Sequence, residues 1–316
     1  MCCLFGVYNY SGKENKEICD LINNLGLEAT TRGTDASGIA YNTNNHMVIY
    51  KRPLPAYEMT FKNVENVRCV TGHTRHATQG DKKKNQNNHP FLGFAENGCF
   101  SLSHNGVLFN DFELRKKYNF KKSSIETDSY IAVQLLENYG KLNVKNIGKM
   151  AEEIEGSFAF SILDSKDNLY LVKGDSPLSL IHLPEQKIYI YASTSDILYK
   201  GIVPTVFFDE VKSGKLEEIK VKAGDILTIT PDGSIIRDTF NYSYYTRYYG
   251  RNWWDYGTCA GDSTIYPVET ADTKTTTSTY LKEVKQLAKY YGYEPEEIDG
   301  LLADGFTLDE ITDMFY

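Results

Sequence analysis

Cys2-Cys3-Leu4-Phe5-Gly6-Val7-Tyr8-Asn9-Tyr10 stands directly after the initiator methionine, and the rest of the reading hangs on it. Leu4–Tyr10 alternates like a strand, so neighbouring side chains leave on opposite faces and Cys2 points away from Cys3. Aminopeptidases remove an initiator Met that precedes a residue as small as Cys. Cys2 would then carry a thiol and a free α-amine together. An α-amine titrates at about 7.7–8.0, close enough to neutrality to serve as base for a nucleophile on its own residue. Cys is also the strongest side-chain nucleophile near neutral pH, because a fraction of it is thiolate. Taken alone, Cys2 reads equally as a small apolar residue of a first strand.

Further segments separate these readings. Thr71-Gly72-His73-Thr74-Arg75-His76-Ala77-Thr78-Gln79-Gly80 carries an Arg, a rigid fork suited to a carboxylate. His104-Asn105-Gly106 sets a side-chain amide beside a backbone N–H, the makings of an oxyanion hole. Glu126-Thr127-Asp128-Ser129 holds an Asp able to cap a helix or to bind an ammonium group. Together they describe a site for an amino acid with a reactive carbonyl at its far end.

With these segments the chain resembles the class II glutamine amidotransferases, N-terminal-nucleophile hydrolases that take ammonia from glutamine. Arg32-Gly33-Thr34-Asp35-Ala36-Ser37-Gly38 resembles the family's Arg-Gly-x-Asp-x-x-Gly segment. Gly72–Thr78 is similar to its Gly-His-Thr-Arg-aromatic-Ala-Thr, and Asn88-His89-Pro90-Phe91 to its Asn-x-His-Pro-Phe. Glu155-Gly156-Ser157-Phe158-Ala159 is similar to a family strand opening. The motifs run in the family's order over roughly residues 2–165, and strand periodicity continues to about 240. The resemblance implies a four-layer αββα sandwich. It also implies that Cys2 attacks the glutamine side-chain amide while Asn105 and the Gly106 N–H hold the oxyanion. Arg75 would clamp the α-carboxylate, Asp128 the α-ammonium, and backbone around Thr78 would complete the pocket. Three positions depart from the pattern: Cys3 replaces a usual Gly, His76 a usual Trp or Tyr, and Gln79 stands where some members have His. They alter the pocket and its loop, and remove no catalytic group.

The remaining polar residues take structural readings. Arg32 and Asp35 form an ion pair that orders a loop, and Gly33 and Gly38 serve turns or close packing. His73, His89 and His104 belong to hydrogen-bonding motifs, without Cys or carboxylate at ligand spacing, so neither metal nor cofactor is expected. Cys19, Cys69 and Cys99 fall in apolar patterns and read as core.

Hydrophobic residues make up 41% and charged residues 24%, ordinary for a globular protein. The net charge of −8 excludes a general nucleic-acid surface. The six cysteines show neither CxxC nor regular spacing, which suits a reducing cytoplasm rather than a disulfide framework. No apolar run approaches the roughly 20 residues of a membrane span, and no basic leader precedes Cys2. No P-loop signature occurs.

Periodicity predicts strands at Leu4–Tyr10, Ser37–Tyr41, Met47–Tyr50, Val67–Thr74 and Phe100–Leu108, with a helix at Lys16–Leu25. Helices follow at Asp128–Tyr139 and Val144–Glu153, then strands near Phe158–Leu163, Leu169–Lys173, Leu178–His182, Ile188–Ala192, Glu217–Val221 and Ile226–Thr230. This α+β order suits two packed sheets with helices outside. The expected organisation is a glutaminase domain over residues 1–240, an aromatic and Thr-rich linker over 241–279, and a small helical appendage over 280–316. The appendage is read with helices at Tyr280–Tyr291, Glu294–Ala303 and Leu308–Phe315, either packing on its own domain or docking a partner.

Three functions stay open. The first is a stand-alone glutaminase that passes ammonia to an acceptor on a partner synthetase or transferase, since residues 241–316 are too few for a synthase half. The second is a γ-glutamyl amide hydrolase acting on a γ-glutamylated metabolite. The third is a non-catalytic scaffold that retains the fold.

Overall fold

β1 (Cys3–Asn9) is buried along its whole length, and its alternation sorts the protein into layers. Cys3, Phe5 and Val7 enter one apolar layer, while Leu4 and Tyr8 enter another on the opposite face. The structure, a computed structural model, describes residues 2–43, 46–121, 123–242, 281, 285, 288, 293–303 and 311. The chain divides into two compact units, Met1–Thr246 and Arg247–Tyr316.

In the first unit β1 lies inside a seven-stranded antiparallel sheet. Its order is β11 (Glu217–Ile219), β9 (Ser179–Leu183), β10 (Ile188–Ala192), β1, β4 (Cys69–Arg75), β2 (Ala36–Thr43), β3 (His46–Arg52). A six-stranded antiparallel sheet runs β13 (Ile235–Thr239), β12 (Asp225–Ile229), β8 (Leu169–Lys173), β7 (Gly156–Asp164), β6 (Gly98–Leu108), β5 (Phe91–Ala95). The layer containing Leu4 and Tyr8 also holds Leu163, Leu171, Tyr191 and Leu227, and so joins the two sheets face to face.

Helices cover the outer faces. α1 (Glu17–Ala29) buries Ile18, Leu21, Ile22, Leu25 and Ala29, a stripe at three- and four-residue spacing. It packs on β1 and β4 together with α5 (Ser195–Ile202), whose N-terminus is capped by Thr194. Phe5 anchors this layer, and truncating such a core aromatic to Ala typically costs about 3–5 kcal/mol. On the other sheet lie α3 (Tyr130–Asn138) and α4 (Val144–Glu153), the latter capped by Asn143. The order is therefore helix, sheet, sheet, helix, as expected. Two short helices, α2 (Asp111–Lys117) and α6 (Phe208–Lys212), complete this unit among the described residues.

The second unit contributes α7 (Pro295–Ala303), which matches the helix expected over 294–303. Most of the linker expected over 241–279, and most of the helices expected at Tyr280–Tyr291 and Leu308–Phe315, lie outside the described residues. Cys69 is fully buried as expected. Cys19 and Cys99 are only partly buried, because each sits where its layer meets solvent, so the reading of both as core is corrected.

Candidate active site

The antiparallel register β1–β4 sets Cys3 opposite Thr74, so Cys2 lies at the level of Arg75 at the strand end. The Cys3 thiol donates to the Leu4 carbonyl at 3.2 Å and belongs to the helix-covered layer, on the face away from Cys2. Burial pushes this thiol up to about 11, and contacts with Ser193 oppose that only in part. Cys3 therefore stays a protonated core thiol.

Cys2 is partly exposed. Its Sγ accepts the His76 N–H at 3.4 Å and stands 3.5 Å from the His76 carbonyl. Desolvation raises the thiol pKa. The His76 N–H and the Arg75 charge lower it, and Asp128 raises it further. The thiol thus feels Arg75 and Asp128 at once, and it needs a local base to become a nucleophile at neutral pH.

Arg75 ends β4 and is buried. Its Nη1 donates to Asn88 Oδ1 at 2.7 Å, and its Nη2 to the Gln79 carbonyl and to the Gly80 carbonyl at 3.2 Å. Asn88 is held in turn by Lys51, whose Nζ donates to the Asn88 and Pro90 carbonyls. Burial, then the neighbouring Arg75 charge, pulls the Lys51 ammonium down to about 8. A shallow hollow lined by Met47, Ile49, Lys51, Arg52, Asn85 and Leu92 opens beside this lysine, away from Cys2.

The expected Arg32–Asp35 ion pair is not what orders the loop. Arg32 Nε donates to the Cys2 carbonyl at 2.9 Å and steadies the Cys2 backbone. Asp35 instead accepts the Ala77 N–H at 2.8 Å and pairs with Lys82. Burial raises its carboxyl, but Lys82 and the Ala77 N–H outweigh that and hold it below its usual range. Gly33 explains how these segments come together, because a Cβ there would lie 2.5 Å from the Arg75 carbonyl carbon. Thr78 is exposed in the loop after β4.

The second sheet supplies the opposite wall. Asn105 and Gly106 sit on β6, paired with Ala159 and Phe158 of β7. Gly106 has φ +142°, and a Cβ there would strike the Ser157 carbonyl oxygen at 1.9 Å, so only glycine fits. Asp128 is buried just before α3 and accepts the Leu108 N–H at 2.7 Å. Desolvation raises its carboxyl despite that bond, and the Arg75 charge opposes the rise. Next to it, Ser129 Oγ lies 2.8 Å from His104 Nδ1, while His104 Nε2 lies 3.2 Å from the Ser157 carbonyl. A carbonyl accepts only, so Nε2 carries the proton and Nδ1 is left as an acceptor facing the Ser129 hydroxyl, which also reaches Asp128 Oδ1 at 3.4 Å. Burial depresses His104 to about 4 and His73 to about 3, and holds His89 well below its usual value. His73 donates through Nε2 to the His104 carbonyl at 2.9 Å, and its ring lies 4.2 Å from that of His89. Among the described residues, no group of three or more His, Cys, Asp or Glu is arranged to hold a metal ion.

Cys2, Arg75, Asn105, Gly106 and Asp128 thus gather where β1 and β4 face β6, while Thr78 stays on the exposed loop. Ser193, Lys51 and Ser129 hold these groups and had been given no role from the sequence. For Ser193 and Lys51 the only signal there is a polar residue at the end of an apolar run, while Ser129 belongs to the Thr127-Asp128-Ser129 segment already singled out.

The face-to-face sheet sandwich, with a thiol at the head of an inner strand, has the layer order expected from the sequence. Residues 73–200 match the family model of a glutamine amidotransferase domain. Over that stretch the chain is similar to glutamine amidotransferases. It is 34% identical over 185 residues to glutamine–fructose-6-phosphate aminotransferase (isomerizing) of Staphylococcus aureus strain Mu50, covering 55% of this chain and 30% of that protein. With the namesake from Streptococcus agalactiae serotype III it shares 35% over 188 residues, again covering 30% of that protein. The chain therefore spans under a third of the relatives it matches. Among solved structures, glutamine phosphoribosylpyrophosphate amidotransferase from B. subtilis has a TM-score of 0.57 at 21% identity, over 76% of this chain and 49% of that one. The structure titled as the allosteric regulatory enzyme of purine biosynthesis has a TM-score of 0.59 at 22% identity, over the same shares. These two likenesses support the fold.

Proposed function

We propose that this domain hydrolyses the side-chain amide of glutamine and releases ammonia to an acceptor on a partner synthetase or transferase. The observation that carries the reading is the meeting of one thiol with an acid–base pair of charges and an amide donor. Arg75 and Asp128 act oppositely on the Cys2 thiol, and Asn105 stands on the facing strand. After removal of Met1, the α-amine of Cys2 takes the thiol proton, directly or through a water. The thiolate attacks the amide carbon, and Asn105 Nδ2 with the Gly106 N–H stabilises the oxyanion. The amine returns the proton to the leaving ammonia, a γ-glutamyl thioester remains on Cys2, and water releases glutamate. Asp128 binds the α-ammonium. The α-carboxylate displaces the Gln79 and Gly80 carbonyls from Arg75, exchanging neutral acceptors for a charged one. Thr78 lies on that same loop and closes the pocket.

The test is a glutaminase assay beside mass spectrometry of the mature chain. The chain should begin at Cys2, and a glutamine-analogue diazoketone should label Cys2 and spare Cys3. Label on Cys3, or full turnover by Cys2→Ala, removes the reading. Turnover of γ-glutamyl amides with none of glutamine moves it to the hydrolase alternative.

A further inference from the structure

Ser193 follows β10 directly and is completely buried. Its Oγ accepts the Leu4 N–H at 2.8 Å and an N–H of Asn105 Nδ2 at 3.1 Å, while its own N–H donates to the Leu4 carbonyl at 2.8 Å. Leu4 is two residues from Cys2 on one sheet, and Asn105 lies on the other. A single hydroxyl therefore ties the nucleophile strand to the amide across the sandwich.

We propose that Ser193 is a positioning residue of the hydrolysis, fixing the Asn105 amide so that its second N–H is presented to the oxyanion. The inference rests on the oxyanion role given to Asn105 above. A side-chain amide has two ends of similar size and opposite hydrogen-bonding sense. Only the NH₂ end can receive a negative oxygen, and the flipped amide sets its carbonyl against that oxygen. The Ser193 oxygen already takes the Leu4 N–H and keeps a second lone pair for Asn105 Nδ2. With Ser193 Oγ accepting from both the Leu4 N–H and Asn105 Nδ2, the amide is held with its NH₂ end at the seam. The same contact sets the distance between β1 and β6, and with it the reach from Cys2 to the oxyanion donors.

A double-mutant cycle tests this on the full chain. Ser193→Ala should lower kcat by roughly ten- to a hundredfold, short of the loss of a whole oxyanion donor, with KM within about twofold. Ser193→Thr keeps the hydroxyl and should recover most of kcat. In an Asn105→Ala background Ser193→Ala should change kcat less than about twofold, because the group it orients is gone. Alkylation of Cys2 by iodoacetamide needs no oxyanion and should keep its rate in every variant. An undiminished kcat in Ser193→Ala, or an equal loss with and without Asn105, overturns the proposal. If the Ala variant does not fold, Ser193→Cys, near in size and a poor acceptor, takes its place in the cycle. A wild-type chain inert toward glutamine ends the glutaminase reading instead. The same cycle then decides the role of Ser193 through acylation of Cys2 by a p-nitrophenyl ester, whose tetrahedral adduct calls on the same donors.

Discussion

The two walls of the site are built differently. On the six-stranded sheet, Asn105, Gly106 and Asp128 are held by buried hydrogen bonds to Ser193, Leu108 and the Ser129–His104–Ser157 chain. On the other wall Arg75 leans on the loop after β4, and that loop is fastened by ion pairs with exposed partners, Lys82 to Asp35 and Lys84 to Glu126. Buried bonds fix a geometry, whereas exposed ion pairs contribute about 0.2–1 kcal/mol and yield readily. The rigid wall suits transition-state stabilisation, which needs donors already in place. The loop wall suits admission of substrate, for which the proposed function has Arg75 change acceptors. Substitutions in the first should therefore act on kcat, and those in the second on KM.

The largest effect is expected at the seam itself. Cys2→Ala should cut glutaminase turnover by roughly 10⁴-fold or more, the scale of losing a nucleophile that acts as one unit with its base. Cys3→Ala removes a buried thiol on the opposite face and should cost about 1 kcal/mol of stability, with kcat within about twofold. Steady-state kinetics and urea melts on both variants check the pair. Equal losses of turnover would erase the distinction between the two faces of β1.

Next come the walls compared directly. Asn105→Ala should lower kcat by about 10²–10³ and leave KM nearly unchanged. Arg75→Lys should raise KM by about tenfold or more, because a lysine cannot reproduce the fork toward a carboxylate and cannot bridge Asn88 to the loop. Asp128→Asn should raise KM likewise by removing the charge opposite the α-ammonium. If the Arg75 variant loses kcat alone, the loop wall serves the transition state and the contrast fails.

Much of this arrangement is legible in the sequence, and what is hidden has a common cause. α1 and α4 follow from helical spacing because each buries one stripe, while β1, β8 and β10 follow from short apolar runs that are buried along almost their whole length. β5 is not foreseen, since Phe91-Leu92-Gly93-Phe94 exposes apolar Leu92 and Phe94 at a sheet edge and so lacks polar alternation. α5 hides behind Thr194-Ser195-Asp196, which reads as loop until Thr194 is seen capping a helix. β13 is short and mostly exposed, and its two apolar residues, Ile235 and Ile236, stand side by side rather than alternating. In the site, Cys2, Arg75, Asn105, Gly106 and Asp128 stand out because their chemistry is unusual for their motifs. Ser193 does not, since its partner Leu4 lies 189 residues away and a buried serine looks like a loop serine in sequence. Lys51 is missed for a related reason, because a lysine closing a strand ordinarily points to water.

The walls meet over three buried neutral histidines, which predict acid sensitivity. His73, His89 and His104 all have folded pKa values depressed by burial, His104 to about 4 and His73 to about 3. The unfolded chain protonates them near 6.5, so below that pH it binds protons that the folded chain refuses. Stability is then full above about pH 6.5 and declines as pH falls toward 4, by up to about 1.4 kcal/mol per pH unit for each histidine. Asp128 and the partly buried carboxyls of Asp111, Glu137, Glu155, Asp167 and Asp175 have raised pKa values and act in the opposite direction, mostly at lower pH, so the histidine share is read from the difference between the wild type and a histidine variant. Thermal melts between pH 8 and 4.5 should show the decline. His104→Gln, which keeps a donor and an acceptor without a titrating ring, should flatten part of it. A melting temperature that does not change over this range would mean that the histidines accept protons in the fold, and that the rigid wall is wetter than its burial indicates.

The smallest effect belongs to the loop fastening. Lys82 is half-exposed and pairs with Asp35, which also takes the Ala77 N–H. Because the pairing lowers the Asp35 carboxyl, its contribution is complete above the ordinary carboxylate range and is lost only as pH falls below about 3.8. Lys82→Ala should cost no more than about 1 kcal/mol in a denaturant melt, since one partner stays in water. Its kinetic trace should be a KM shift of about two- to threefold with kcat unchanged, because the loop that presents the Gln79 and Gly80 carbonyls to Arg75 is loosened while the strand wall is untouched. Raising salt from 0.05 to 0.5 M should shift KM of the wild type in the same direction and leave the variant nearly unaffected, as screening removes what the substitution already has. A large fall in kcat from this exposed residue would show that the loop is part of the transition-state geometry, and the division of labour between the two walls would have to be redrawn.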